Sequence, residues 1–237
     1  MILMMKFATS VLLALSRNVG IVDNIHETPI VVVFGRPGAG KTTVANAALK
    51  AIEDLDVNMY CLGLDLDVCV PQWMKDNFAK GIYPTLQERE VFARSCCDYV
   101  DSALLQEQMK KITTVDASNT LCAIISFSFV NTDLRDSFRS RFPSAEWVLI
   151  ETDQEEANKR INERQGHFFK ANLEVCEAEE KGAVQKRATE TLDKENSDWH
   201  FAPVNYPHLV VSGKDTVEKN AEKVVQVLQK AWGLRRQ

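Results

Sequence analysis

The sequence predicts an α/β fold: a five-stranded parallel sheet sandwiched by helices, with a helical insertion late in the chain. Three observations predict it. From Thr28 onward, short β-branched apolar runs alternate with longer stretches of helical periodicity, the pattern of strands joined by crossover helices. A glycine-rich turn, Gly35-Arg36-Pro37-Gly38-Ala39-Gly40-Lys41-Thr42, separates the first apolar run from the first helix. Between Gln165 and Pro207 the periodicity weakens and charge density rises, with strings such as EVCEAEEKGAVQKR and TLDKENSD. That segment suits a charged insertion over a site better than a core element, a solvated surface helix being the alternative.

Taken in order, Pro29–Phe34 (PIVVVF) is a nearly continuous apolar run, as expected of a central strand covered on both faces. A helix follows over Lys41–Asp54, then a strand over Val57–Leu64 that runs into Asp65-Leu66-Asp67. Pro71–Lys80 and the long amphipathic stretch Leu86–Ile112 read as helices. Leu121–Phe127 is the third strand, Thr132–Arg141 a helix and Trp147–Glu151 the fourth strand. A helix from Asp153 to Arg164 precedes the insertion, and His208–Val211 is a short fifth strand. Thr216–Trp232 closes the chain, its Val217, Ala221, Val224, Val225 and Leu228 spaced to form one apolar stripe.

The 237 residues, 45% of them hydrophobic, form one large domain (29–237) with its lid at about 165–207. Residues 1–28 stand apart as an N-terminal extension. The apolar run Phe7–Leu15 is too short to span a bilayer, and it faintly resembles a signal peptide. An organelle-targeting segment and a helix lying on the domain are the competing readings. The 28 Lys and Arg against 33 Asp and Glu give a net charge of −5. A nucleic-acid or polybasic membrane binder would need the opposite balance, so a small-molecule partner is expected. Six cysteines without a C-x-x-C pair read as reduced thiols in a cytoplasmic protein.

The turn at 35–42 satisfies G-x-x-x-x-G-K-[ST], and the strand before it and helix after it supply the required context. Its glycines let consecutive N–H groups face inward at a helix N-terminus, where unpaired donors and the helix dipole bind phosphate. The fold expected is therefore that of the P-loop NTPases, with ATP and Mg²⁺ as cofactors. Gly35 to Thr42, with Thr43, form the nucleotide seat; Lys41 reaches the β- and γ-phosphates and Thr42 gives its hydroxyl to Mg²⁺. No D-x-x-G followed by an N/T-K-x-D guanine motif occurs, and no apolar strand ends in Asp-Glu, which argues against a GTPase or a motor-type ATPase. Asp65 and Asp67 instead close the second strand. A carboxylate there can accept an acceptor's hydroxyl proton or hold a metal-bound water, while a plain strand cap is the competing reading.

Arg160 and Arg164 share one helix face, and like charges at that spacing cost about 0.2–0.5 kcal/mol. A γ-phosphate between the two guanidinium forks would offset the cost; a pair with Glu156 is the simpler explanation. Arg135 and Arg139 repeat the spacing, with substrate binding and solvated surface equally open.

The string Arg160-Ile161-Asn162-Glu163-Arg164-Gln165-Gly166-His167-Phe168-Phe169-Lys170 resembles the lid entry of the gluconate kinases, small P-loop sugar-acid kinases related to shikimate and nucleoside-monophosphate kinases. Gly35–Thr42, Asp67–Pro71 with Gly81 and Arg89, and Ser128 with Leu134-Arg135-Asp136 fall in the family's order. The resemblance covers about residues 30–172. It implies phosphoryl transfer from ATP to a sugar-acid hydroxyl, with Asp67 as base, Arg89 and Arg135 on the substrate carboxylate, and Arg160 and Arg164 as lid arginines. The chain departs from the family at Leu66, Val70, Asn77 and Asn131, where glycine, histidine and two lysines are expected. The acceptor pocket should therefore be more apolar than a sugar-acid site. Trp73, Phe78 and Tyr83 either line it or simply pack. The expected function is a small-molecule kinase; a nucleoside or nucleotide kinase and a non-catalytic nucleotide-binding regulator are the alternatives.

Overall fold

A computed structural model describes residues 27–55, 58–80, 82–113, 120–163 and 201–234. In chain order these form β1 (Ile30–Phe34), α1 (Lys41–Glu53), β2 (Met59–Asp65), a 3-10 turn (Leu66–Cys69) and α2 (Gln72–Phe78). There follow α3 (Leu86–Thr113), β3 (Thr120–Phe127), α4 (Thr132–Arg141), β4 (Glu146–Glu151), α5 (Gln154–Glu163), β5 (Leu209–Ser212) and α6 (Val217–Leu234). The five strands pair in the order β2-β3-β1-β4-β5, and every pairing is parallel.

The alternation of side chains along each strand divides the core in two. Ile30, Val32 and Phe34 of β1 face one side with Leu121, Ala123, Ile125 and Phe127 of β3. Against them pack Met74 and Phe78 of α2, the Phe92–Leu105 face of α3, and Leu134 and Phe138 of α4. Val31 and Val33 face the other side with Cys122, Ile124, Val148 and Ile150. There α1 contributes Val44, Ala45, Ala48 and Ile52, and α6 contributes Ala221, Val224, Val225 and Leu228. Because helices cover both faces, no residue of β1 can be polar.

Residues 201–207, expected as the end of the lid, pack Phe201, Ala202, Val204 and Tyr206 onto the domain while Pro203, Asn205 and Pro207 face outward. Tyr206 is buried and stacks edge-on to Trp147 at 5.2 Å, Phe201 packs against Phe34, and Ala202 N donates to Val130 O. The rest of the expected lid, 165–200, and residues 1–26 of the expected extension lie outside the described residues. Among the described residues no helix is long and apolar enough to cross a membrane.

This order places β1 at the centre, with chain crossing to both sides of it. In open parallel sheets the crevice beyond the carboxyl ends of such strands takes the ligand, and β1 leads there directly into Gly35.

Candidate active site

The loop leaving β1 is held by its glycines. Gly38, at φ +81°, lies so close to α5 that a Cβ would stand 2.3 Å from Ala157 O. Gly40, at φ +91°, precedes α1, and a Cβ there would meet nothing within 4 Å. No side chain caps α1, and its first turn carries no acidic residue. A helix N-terminus left in this state has donors and a dipole aimed at open space, and a phosphate group fits it. Lys41 folds back across the loop, its Nζ donating to Arg36 O at 2.8 Å. Ala39 anchors the loop in the core, while Thr43 points outward. The Arg36 guanidinium lies 5.9 Å from the Phe201 ring centre, with Nη1 donating to Gln154 at 3.4 Å.

The two carboxylates after β2 divide their work. Thr42 Oγ1 donates to Asp65 Oδ2 at 2.8 Å, which ties the start of α1 to the tip of β2 across the intervening strand. The other oxygen, Oδ1, accepts from Asp67 N at 3.0 Å and so caps the 3-10 turn. Asp65, which the sequence offered as a substrate contact or a holder of a metal-bound water, thus sits behind the Thr42 hydroxyl while also lining the cleft. The pairing of hydroxyl and carboxylate suits a hydrated Mg²⁺, which is held through few protein oxygens. Among the described residues no cluster of three or more His, Cys, Asp or Glu is placed to hold a metal ion.

A cleft continues from the phosphate loop and brings Lys41, Thr42, Asp65, Asp67 and Arg89 into one lining. Ser128 and Asn131 join them at the exit of β3. The remainder is apolar: Val70, Met74, Phe78, Phe92, Phe127, Val130 and Leu134. Phe78 thus lines the cleft, whereas Trp73 and Tyr83 are substantially exposed. Arg89 is nearly buried; its Nε bonds Asp133 Oδ2 at 2.8 Å and its Nη1 bonds Pro84 O at 3.0 Å.

Arg135 does not reach this cleft. It is fully buried, and its Nε donates to Phe129 O at 2.6 Å while Nη2 donates to Val130 O at 3.1 Å. Nη1 bonds Ala202 O at 2.8 Å and Pro203 O at 3.0 Å, and the guanidinium lies 4.4 Å from the Phe201 ring centre. Burial lowers the guanidinium's pKa from its ordinary value. The expected carboxylate contact is therefore corrected: every nitrogen already serves a backbone carbonyl. Arg135 is a clamp that joins the β3 exit to the segment entering β5. Phe129, whose φ of +45° is positive among non-glycine residues, is one of the residues it holds, a conformation that surrounding contacts must over-determine. Arg160 bonds Glu156 at 3.0 Å and Gly213 O at 3.2 Å, so the simpler of its two expected pairings is present. Arg164 lies outside the described residues.

Sequence reasoning missed Asp133 as the partner of Arg89, Ala157 as the neighbour of Gly38, and most of the apolar wall. The only signal for the wall was the run of departures at Val70 and Asn131; Met74, Phe92 and Leu134 carry the same periodicity as ordinary core residues.

An AAA domain family model matches residues 30–185. No curated protein matches the chain. Among solved structures, a sugar kinase from Janibacter sp. HTCC2649 aligns with a TM-score of 0.56 at 19% identity, over 85% of this chain and 95% of its own. A gluconokinase from Sinorhizobium meliloti 1021 aligns at 0.52 and 18% identity, over 87% and 95% respectively. The Mycobacterium tuberculosis APS kinase CysC, in complex with AMPPNP and APS, aligns at 0.50 and 15% identity, over 85% and 98%. At these identities the likeness is one of fold.

Proposed function

The chain belongs to the AAA domain family, and on that premise we propose that it is an ATP-dependent phosphotransferase acting on a hydroxyl of a small metabolite. The observation that carries this reading is the junction of phosphate loop and cleft. Thr42, Asp65 and Asp67 are linked by two hydrogen bonds at the point where the phosphate loop opens into a largely apolar cleft. The neighbouring folds of a sugar kinase, a gluconokinase and an APS kinase support the same class.

In this reading the N-terminus of α1 and the loop amides bind the β- and γ-phosphates, and Lys41 leaves Arg36 O to neutralise the transferring group. Mg²⁺ would be held by the Thr42 hydroxyl with Asp65 behind it, and would supply charge neutralisation at the phosphate oxygens. Asp67 receives the acceptor's hydroxyl proton as the acceptor oxygen forms its bond to phosphorus. The bond between γ-phosphorus and the bridging oxygen breaks, and its electron pair leaves on ADP. The proton then passes from Asp67 to solvent, so acceptor and ATP give phosphorylated acceptor, ADP and H⁺.

The test is ADP release with Mg·ATP against hydroxy acids, sugar acids, polyols and nucleosides, with Lys41→Ala as blank. An acceptor-dependent rate that vanishes in the variant supports the proposal. Nucleotide binding with no stimulation by any acceptor would favour a regulatory nucleotide sensor.

A further inference from the structure

Resting on the kinase reading, we infer that the acceptor is a hydroxy acid with a compact apolar body, such as an aryl or branched alkyl group, and not a polyhydroxylated sugar acid. Beyond the phosphate loop the lining carries few polar side chains, Asp65, Asp67, Arg89, Ser128 and Asn131. Asp67 is linked through Asp65 to Thr42 at the phosphate loop, and Arg89, the one cation of that part of the lining among the described residues, bonds Pro84 O. The apolar walls come from the 3-10 turn (Val70), α2 (Met74, Phe78), α3 (Phe92) and β3 (Phe127). Each of these five belongs to the main core cluster and is less than 9% exposed. The chamber is thus an extension of the hydrophobic core that opens at the phosphate loop.

Beyond Ser128 and Asn131, a polyol finds few partners on such a surface. Every hydroxyl placed against Val70, Met74 or Phe92 gives up water without gaining a partner, at a cost comparable to an unsatisfied buried group. An apolar body gains from the same walls by the area it removes from water. Arg89 is oriented by Asp133 and Pro84 O, so its guanidinium is fixed without an acceptor present and is preorganised for a carboxylate. With a hydroxyl directed to Asp67 and a carboxylate directed to Arg89, the rest of the molecule meets a lining that is mostly apolar. The transfer is the one written above, with the acid's own hydroxyl as the attacking oxygen.

The experiment is a pair of titrations of the full chain, held in Mg²⁺ and a non-hydrolysable ATP analogue, with 3-phenyllactate and with gluconate. Burial of one phenyl group is worth about ten- to 150-fold in affinity, so 3-phenyllactate should bind at least about tenfold tighter. Val70→Thr and Met74→Gln, which keep side-chain shape while adding a polar atom, should each erode the ratio; thermal unfolding of the variants establishes that they are folded. Gluconate binding as tightly as 3-phenyllactate, or neither acid binding, overturns the assignment. A ratio unmoved in both folded variants overturns it as well. The kinase reading is tested separately by replacing the analogue with labelled ATP. Binding of 3-phenyllactate without transfer would sink the kinase reading and keep the chamber's chemistry. Binding and phosphorylation of gluconate alone would do the reverse.

Discussion

Replacement of Arg135 by methionine removes four charge-assisted hydrogen bonds, to the carbonyls of Phe129, Val130, Ala202 and Pro203, while keeping most of the apolar stem. Such bonds contribute about 1.5–3 kcal/mol each before the cost of desolvating the guanidinium is subtracted, several kcal/mol for a fully buried cation. The net loss should be about 3–5 kcal/mol, because the four carbonyls are left in a region that methionine keeps dry. For a domain of this size that corresponds to a fall in Tm of roughly 6–20 °C. The assay is urea unfolding followed by circular dichroism, with acceptor KM measured on the folded fraction. Arg135→Lys should recover only part of the loss, since an ammonium cannot reach four carbonyls in the geometry of a planar fork. A variant with wild-type stability and a strongly raised acceptor KM would refute the clamp and restore Arg135 to the substrate.

Gly38→Ala should destabilise the domain by about 2–4 kcal/mol and weaken ATP binding, because the new Cβ would collide with Ala157 O at a positive φ. Gly40→Ala faces open space and should cost only the backbone strain, about 1–2 kcal/mol; the opposite order of the two in urea midpoints would contradict the loop packing. Alkylation at neutral pH should modify Cys69 before the other cysteines described here, as peptide mapping would show. The hydrogen bond from Cys96 lowers the Cys69 thiol, whereas burial pushes Cys97 up to about 12, and Cys61 and Cys96 are raised by thiol hydrogen bonding and burial. Hydrogen bonds from Lys219 and Lys223 hold the Asp215 carboxyl below its usual value of 3.8. A depressed folded pKa contributes stability above the unfolded pKa and loses it as pH falls through the folded one. The urea midpoint of the wild type should therefore exceed that of Asp215→Asn above about pH 4, with the gap narrowing below it and in high salt.

How much of this was legible depended on whether the determining contacts were local. The phosphate loop is one contiguous string with a strand before it and a helix after it, so its chemistry could be read directly. The strands were equally plain, since β1 is apolar on both faces and α6 repeats at 221, 224, 225 and 228. Arg135 was misread for the opposite reason. Its spacing from Arg139 left substrate binding and solvated surface equally open, and two of its four partners lie 67 and 68 residues away. The Arg160–Glu156 pair was visible at a spacing of four, but the contact with Gly213 O was not. The apolar character of the acceptor cleft was foreseen at Val70 and Phe78, but Met74, Phe92, Phe127 and Leu134 escaped because the walls come from separate elements. No pattern within α2 or α3 distinguishes a residue that faces core from one that faces a cavity opening out of that core.

The central claim is that the γ-phosphate is transferred to a hydroxyl through Asp67, and partition of γ-phosphate label between acceptor and water tests it most directly. The expected result is label recovered in the acceptor, abolished by Lys41→Ala, and reduced about 10²- to 10⁴-fold by Asp67→Asn with ATP affinity unchanged. Label found only in inorganic phosphate with every acceptor, or a full transfer rate in Asp67→Asn, would contradict it.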